Sequence, residues 1–234
     1  GQTALITGGS RGLGLHIAKR LSQNGANIIL LSRQGDILKH NIKHELSIIS
    51  NNQQHHYIQC DLSQLDSIGE CLSSSNILQK LNILINCAGI SQNSLLFSTS
   101  SSSIQSIIDT NLTSSIILSQ FLMKPLMRNS PSSIINISSV LGLKGFRGTS
   151  AYSASKAGLV GFTRALAVEM GSKGLRVNSI SPGLIKETEM GQGLKFENVL
   201  NKDGVSMESV YQTVEYLLRN QSVTGQNLVV DNGI

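Results

Sequence analysis

The feature that most constrains this chain is an apolar run that ends in glycines, "TALITGGSRGLG", residues 3–14. Five apolar-rich residues at 3–7 are too few for a buried helix and suit a strand covered on both faces. The glycines at Gly8, Gly12 and Gly14 permit a tight turn, and the pattern beyond them is helical over 12–24. A strand that turns tightly into a helix aims free N–H groups and the positive end of the helix dipole at the space beyond the strand. That space suits a pyrophosphate, so Gly8, Ser10, Arg11, Gly12, Leu13 and Gly14 are read as a dinucleotide loop.

The same alternation continues down the chain. Apolar runs recur at 27–32, 57–60, 82–86, 133–138, 176–181 and 227–230, with helical patterns over 36–50, 63–79, 102–128, 150–170 and 206–219. Strands alternating with helices of this length imply right-handed βαβ units and a doubly wound parallel sheet with helices on both faces. No linker or break in composition divides the series. The expectation is therefore one Rossmann-type α/β domain over 1–234, with "NNQQHH" (51–56) and "STSSSS" (98–103) as surface loops and helix ends.

Composition narrows the function classes. The 234 residues are 40% hydrophobic, without a run of 18 apolar residues or a basic start leading into a short apolar stretch, so neither membrane insertion nor a secretory signal is expected. Three cysteines, Cys60, Cys71 and Cys87, have no C-x-x-C spacing, which argues against a disulfide framework and a zinc site and for a reducing compartment. Five histidines show no metal-ligand pairing; His40 and His44 read as a solvated helix face, and no metal is expected. The net charge of +5 is spread along the chain, which favours anionic small ligands or an acidic partner over nucleic acid.

The end of the second run carries a choice. An Asp or Glu there would bind the adenosine ribose hydroxyls and repel a 2′-phosphate, whereas this chain has Ser32 and Arg33. Arg33 and Arg11 can set guanidinium groups against a 2′-phosphate, so NADP(H) is the expected cofactor. Asp36 is read as a cap of the next helix. A second constellation lies in "TSAYSASKAGLVGF", 149–162, where Tyr152 and Lys156 stand four apart and so share one helix face amid small residues.

With "TGGSRGLG" (7–14), "NCAG" (86–89) and "YSASK" (152–156) in this order and spacing, the chain resembles the short-chain dehydrogenase/reductase family over nearly its full length. The motifs "CDL" (60–62), "TNL" (110–112), "NISS" (136–139) and "SPG" (181–183) extend the likeness, and the stretch around the tyrosine is most similar to the 3-oxoacyl-acyl-carrier-protein reductases. The resemblance implies Tyr152 as proton donor, Lys156 as the charge that lowers its pKa and binds the nicotinamide ribose, Ser139 as the group orienting the substrate carbonyl, and Asn111 as holder of a relay water. Ser138 is the competing candidate, but Ser139 lies thirteen residues before the tyrosine, as the family pattern has it. It also implies Asp61 and Leu62 at the adenine, Asn86, Ala88 and Gly89 beside the adenosine ribose, and Pro182, Gly183 and Ile185 at the carboxamide. For Thr188 the resemblance implies a phosphate or carboxamide hydrogen bond.

The implied activity is NADPH-dependent reduction of 3-oxoacyl groups on acyl carrier protein in type II fatty acid synthesis. The alternatives are a reductase for a quinone, sugar or steroid, or a catalytically silent NADP-binding subunit. The resemblance further implies a homotetramer built through the helices containing Asn111 and Tyr152. A basic rim including Arg128 and Lys173 would meet the acidic carrier. The Ser, Asn and Gln bias is similar to that of yeast proteins, and together with it the resemblance to the acyl-carrier-protein reductases implies a mitochondrial matrix enzyme, with the cytoplasm as alternative. Only sixteen residues, 191–206, stand where the family has two short helices over the substrate, so the expected cover is either short or lacks part of a mobile segment.

Overall fold

All seven apolar runs form strands of one parallel sheet. In chain order the elements are β1 (Thr3–Thr7), α1 (Gly12–Gln23), β2 (Asn27–Ser32), α2 (Gly35–His44), β3 (His55–Gln59), α3 (Ile68–Ser73), β4 (Ile83–Asn86), α4 (Ser101–Ile108), α5 (Ser114–Arg128), β5 (Ser132–Ile137), α6 (Ser150–Met170), β6 (Leu175–Pro182), α7 (Met207–Arg219) and β7 (Asn227–Val230). These come from a computed structural model, which describes residues 1–73, 75–191, 200 and 204–233. Most of the expected substrate cover, 192–199 and 201–203, lies outside the described residues.

The strand order is β3-β2-β1-β4-β5-β6-β7, with every neighbouring pair parallel. Successive side chains of a strand face opposite ways, and β1 shows it: Ala4 and Ile6 pack with Ile17, Leu21, Val210 and Val214 of α1 and α7, while Leu5 packs with Leu118, Leu122 and Leu166 of α5 and α6. Both faces are therefore dry, which is why the strands read as continuous apolar runs. Chain direction reverses its lateral progress between β1 and β4, so a crevice opens beyond the carboxyl ends of these two strands.

Several expected boundaries shift for identifiable reasons. The helix expected over 63–79 is a short turn at Leu65–Ser67, the six-residue α3, and another turn at Asn76–Lys80. Serines in "CLSSSN" compete for backbone hydrogen bonds and disfavour a longer helix there. The helix expected over 36–50 stops at His44. Asp36 is in the first turn of α2 behind Gln34, which holds the capping position, so the carboxylate meets the helix dipole without capping it. The helix expected over 102–128 is interrupted by a π turn at Asp109–Thr113, and Asn111 sits inside that turn. Such turns concentrate at functional sites.

Candidate active site

A cleft of about 890 Å³ runs along the carboxyl ends of β1, β2, β4, β5 and β6. At one end the glycine loop is packed against its neighbours through backbone. A Cβ on Gly14 would stand 2.5 Å from the Gly8 carbonyl oxygen, and one on Gly8, whose φ is +69°, would stand 3.1 Å from the Ala88 Cα. No side chain caps the first turn of α1, so its N–H groups face the cleft. A dinucleotide fits this cradle because the glycines leave the volume that a side chain would fill. Gly8, Ser10, Arg11, Gly12, Leu13 and Gly14 all line the cleft, as do Arg33, Asp61, Leu62, Ala88, Gly89, Pro182, Gly183, Ile185 and Thr188.

Two groups fix this loop that the sequence reading passed over. The Thr7 hydroxyl accepts from the backbone N–H groups of Cys87 and Ala88, both at 2.9 Å, and so ties the end of β1 to the segment after β4. Asn41, buried on α2, donates through Nδ2 to the Ser10 carbonyl at 2.9 Å. A polar residue standing on the buried face of α2, one turn after Leu38, was the available signal.

Asn86 is a correction to the expected wall of the cleft. Its side chain is buried and donates to Asn136 Oδ1 at 2.8 Å within the sheet, away from the cleft lining. Arg11 lines the cleft but also pairs with Glu189 at 2.8 Å, both side chains being largely exposed. Arg33 is exposed at the end of β2, and Asp36 is absent from the cleft lining. Thr188 donates its hydroxyl hydrogen to the Ile185 carbonyl at 2.8 Å and turns its methyl toward Gly12.

At the other end, Tyr152 and Lys156 from α6 meet Ser139 from the end of β5. Lys156 is buried, and its Nζ donates to the Ile137 carbonyl at 2.8 Å and stands 5.9 Å from the Tyr152 ring centroid. Burial pulls this lysine down to about 8, with the Cys87 thiol acting in the opposite sense. Burial also pushes the Cys87 thiol up to about 12, which Lys156 opposes. The Tyr152 phenol is raised by burial, and hydrogen bonding with Ser139 pulls it the other way. This corrects the expectation of a lowered tyrosine: removal from water costs the phenolate more than the neighbouring groups return.

The two serines separate by partner. Ser138 donates to the Lys156 backbone carbonyl at 2.9 Å and is committed to holding α6. Ser139 Oγ accepts from the Leu141 N–H at 3.1 Å and faces Tyr152. Asn111 is fully buried outside the cleft lining; its Oδ1 accepts from Ile90 N at 2.8 Å, and its Nδ2 donates to the Ile90 carbonyl and to Ser155 Oγ. Three of its four hydrogen-bonding positions are thus filled by protein.

The expected basic rim is also corrected. Arg128 ends α5 and Lys173 precedes β6, which places both at the amino ends of β5 and β6, opposite the cleft within one chain. Besides Lys156, cations lining the cleft in the segment after Ser139 are Lys144 and Arg147, flanked by Phe146. Among the described residues no group of three or more His, Cys, Asp or Glu is placed to hold a metal ion, and no helix is long and apolar enough to cross a membrane.

A sheet of this order, with a glycine cradle at one end of its cleft and Ser139, Tyr152 and Lys156 at the other, defines a dinucleotide-type oxidoreductase architecture. Residues 2–198 match the family described as short chain dehydrogenase, and the chain belongs to that family. Among curated relatives it is 37% identical over 237 residues to carbonyl reductase family member 4 of Danio rerio, covering 99% of this chain and 97% of that one. It is 34% identical over 235 residues to the 3-oxoacyl-(acyl-carrier-protein) reductase of Homo sapiens, covering 98% and 96%. Among solved structures, a short chain dehydrogenase/reductase family protein superposes with a TM-score of 0.89 at 32% identity, covering 100% of this chain and 97% of the other. A 4-hydroxyisoleucine dehydrogenase complexed with NADH superposes at 0.86 with 30% identity, covering 100% and 98%.

Proposed function

We propose that the chain is an NADPH-dependent reductase of 3-oxoacyl groups carried on acyl carrier protein, acting in type II fatty acid synthesis. The observation that carries this reading is the convergence of Ser139, Tyr152 and Lys156 on one end of a cleft whose other end is a glycine cradle. Relatives named as 3-oxoacyl-(acyl-carrier-protein) reductases, at 34–35% identity over nearly the whole chain, support the substrate class. A solved neighbour complexed with NADH supports a nicotinamide cofactor, which supplies hydride when bound. Arg33 stands at the end of β2, where an acid would bind the ribose hydroxyls, and with Arg11 in the loop it favours NADPH over NADH.

Each residue then has a part in the reduction. The Tyr152 hydroxyl donates its proton to the substrate carbonyl oxygen, and a phenol raised by burial stays protonated and ready for that step. Ser139 donates a hydrogen bond to the same oxygen as negative charge builds on it. Lys156 spends one of its three N–H donors on Ile137 and keeps two for the cofactor ribose and the phenolate left by Tyr152. Asn111 holds the Ile90 backbone and, with one lone pair remaining, a relay water. Lys144 and Arg147 give an acidic carrier a cationic mouth.

The same reading places the enzyme in the mitochondrial matrix, with the cytoplasm as alternative, and as a homotetramer through α5 and α6. Exposed Ile116, Phe121 and Val168 on those helices support the assembly. A reductase for another carbonyl compound is the second reading, favoured by the relative named carbonyl reductase family member 4. NADPH oxidation with a 3-oxoacyl thioester on acyl carrier protein, run beside NADH and a panel of ketones and quinones, separates them. Turnover confined to the thioester with NADPH supports the first reading, and activity on the panel alone supports the second. Cofactor binding without any turnover would make the chain a silent subunit.

A further inference from the structure

Helix α6 carries Tyr152 in its first turn, yet the residue that should cap it does not. Thr149, at the capping position, spends its hydroxyl on the Phe146 carbonyl at 2.8 Å and on Ser153 Oγ at 3.1 Å, with no bond to the first-turn N–H groups. Those donors are satisfied from elsewhere. Gln92, some sixty positions earlier in the segment after β4, accepts through Oε1 from Ala151 N at 2.8 Å and from Tyr152 N at 3.2 Å. Its Nε2 donates to the Ser94 carbonyl at 3.0 Å and to Thr99 Oγ1 at 3.3 Å. The amide orientation follows from these partners, because the reverse would set an NH₂ group against two backbone N–H donors.

We infer that Gln92 is a positioning residue for Tyr152: a cap supplied in trans along the chain that fixes the tyrosine backbone and ties it to the 92–99 segment. The inference rests on Tyr152 being the proton donor. Gln92 is 6% exposed, and all four of its hydrogen bonds go to protein, so its amide is held as a rigid bracket. The bracket has two halves. One oxygen holds the two N–H groups that set where Tyr152 begins, and one nitrogen holds the turn at Ser94 and Thr99, whose hydroxyls also bond each other at 2.7 Å. Gly148, whose φ is +80°, closes the same turn by accepting from Ser94 N at 3.3 Å. Substrate-side loop and catalytic helix therefore move together through one side chain.

Two variants divide the bracket. Gln92→Leu removes both halves, whereas Gln92→Glu keeps the acceptor for Ala151 and Tyr152 and brings a negative charge to the first turn of α6. With Gln92→Leu we expect kcat to fall roughly tenfold to a hundredfold, as misplacing a reacting group does, with KM for NADPH near wild type. With Gln92→Glu most of kcat returns, and the limb of the pH profile governed by the tyrosine moves to higher pH, because an added like charge disfavours the phenolate. The four tyrosines, labelled with carbon-13 at Cζ and assigned by Tyr152→Phe, give a readout that does not depend on turnover. The Tyr152 resonance should shift in both Gln92 variants, and its titration should move upward in Gln92→Glu.

Unchanged Tyr152 resonance and titration in Gln92→Glu overturn the inference, including the case in which Gln92→Leu fails to fold. A loss of kcat in Gln92→Leu that only tracks its folded fraction, with an unaltered pH profile in both variants, overturns it as well. If Tyr152→Phe itself retains turnover, the proton-donor reading is what fails, and the NMR titration still decides whether Gln92 positions the tyrosine.

Discussion

At the glycine-loop end of the cleft, backbone lies against backbone: Gly14 on the Gly8 carbonyl and Gly8 on Ala88. At the tyrosine end, side chains reach across from distant elements: Gln92 to α6, Lys156 to Ile137, Ser138 to Lys156, Asn111 to Ile90. The first end is sensitive to an added carbon and the second to a lost hydrogen bond. The difference also separates binding from chemistry, since contacts made by backbone can hold a ligand without titrating. A group that must give up a proton has to be a side chain whose surroundings set its pKa.

The largest effect should come from the tyrosine end. Replacing Tyr152 by Phe removes the proposed donor and little else, so turnover should fall by roughly 10²–10⁴ while NADPH affinity, measured by calorimetry, stays near wild type. Surviving turnover would leave the two ends without the division of labour described. At the other end, Gly14→Ala should raise the NADPH dissociation constant by roughly tenfold to a hundredfold, about 1.4–2.8 kcal/mol. Its Cβ would meet a carbonyl oxygen at 2.5 Å that belongs to the loop itself. Gly145→Ala is the matched control, because a Cβ there meets nothing within 4 Å. Arg33→Asp should turn the NADPH to NADH preference, read as the ratio of kcat/KM values, by roughly tenfold or more, since a carboxylate repels the 2′-phosphate that the guanidinium is proposed to bind.

Lys156 adds a test in pH. Its pKa is about 8 in the folded chain against an ordinary 10.5, so between those values the unfolded chain holds the proton and the folded chain does not. Stability contributed by this group therefore rises with pH across that window. Cys60 and Cys87, raised to about 12 from 9.0, act in the opposite sense above pH 9. Between pH 8 and 9, urea melts should show the native chain gaining about 1 kcal/mol relative to Lys156→Met. A flat difference would mean that the ammonium is not held away from water. The smallest effect belongs to the exposed Arg11 and Glu189 pair: Glu189→Gln should change stability by less than about 1 kcal/mol in the same melts, a change that added salt should abolish.

Much of this was legible in the sequence because it is local. A strand feeding a glycine turn, an apolar run between polar segments, and two functional groups four apart on a helix all carry their meaning within a dozen residues. Ser139 over Ser138 was legible from its spacing to Tyr152, and the fold adds the physical reason, since Ser138 is committed to the Lys156 carbonyl eighteen residues away. Gln92 and Asn41 escaped notice because each is a polar residue whose partner lies in another element; their spacing to that partner follows no period. The raised phenol was missed for a different reason. Sequence places Lys156 beside Tyr152, but the cost of burying a charge depends on the whole enclosure. The mouth was misplaced too, since Arg128 and Lys173 sit beside strands that lead to the site, and chain proximity says nothing about which end of a strand is near.

The π turn at Asp109–Thr113 has a consequence for how this protein tolerates length changes. Each wide turn holds one residue more than a regular one, so α4 and α5 are joined out of phase by about 100° of helix rotation. Ile107 is buried before the turn and Leu118 after it, each on the face its own helix needs. Deleting one residue here would restore a regular, locally more comfortable helix and rotate Ile107 off the core. The chain thus keeps its register through a surplus residue, and a change that improves the local geometry would misalign everything upstream of it.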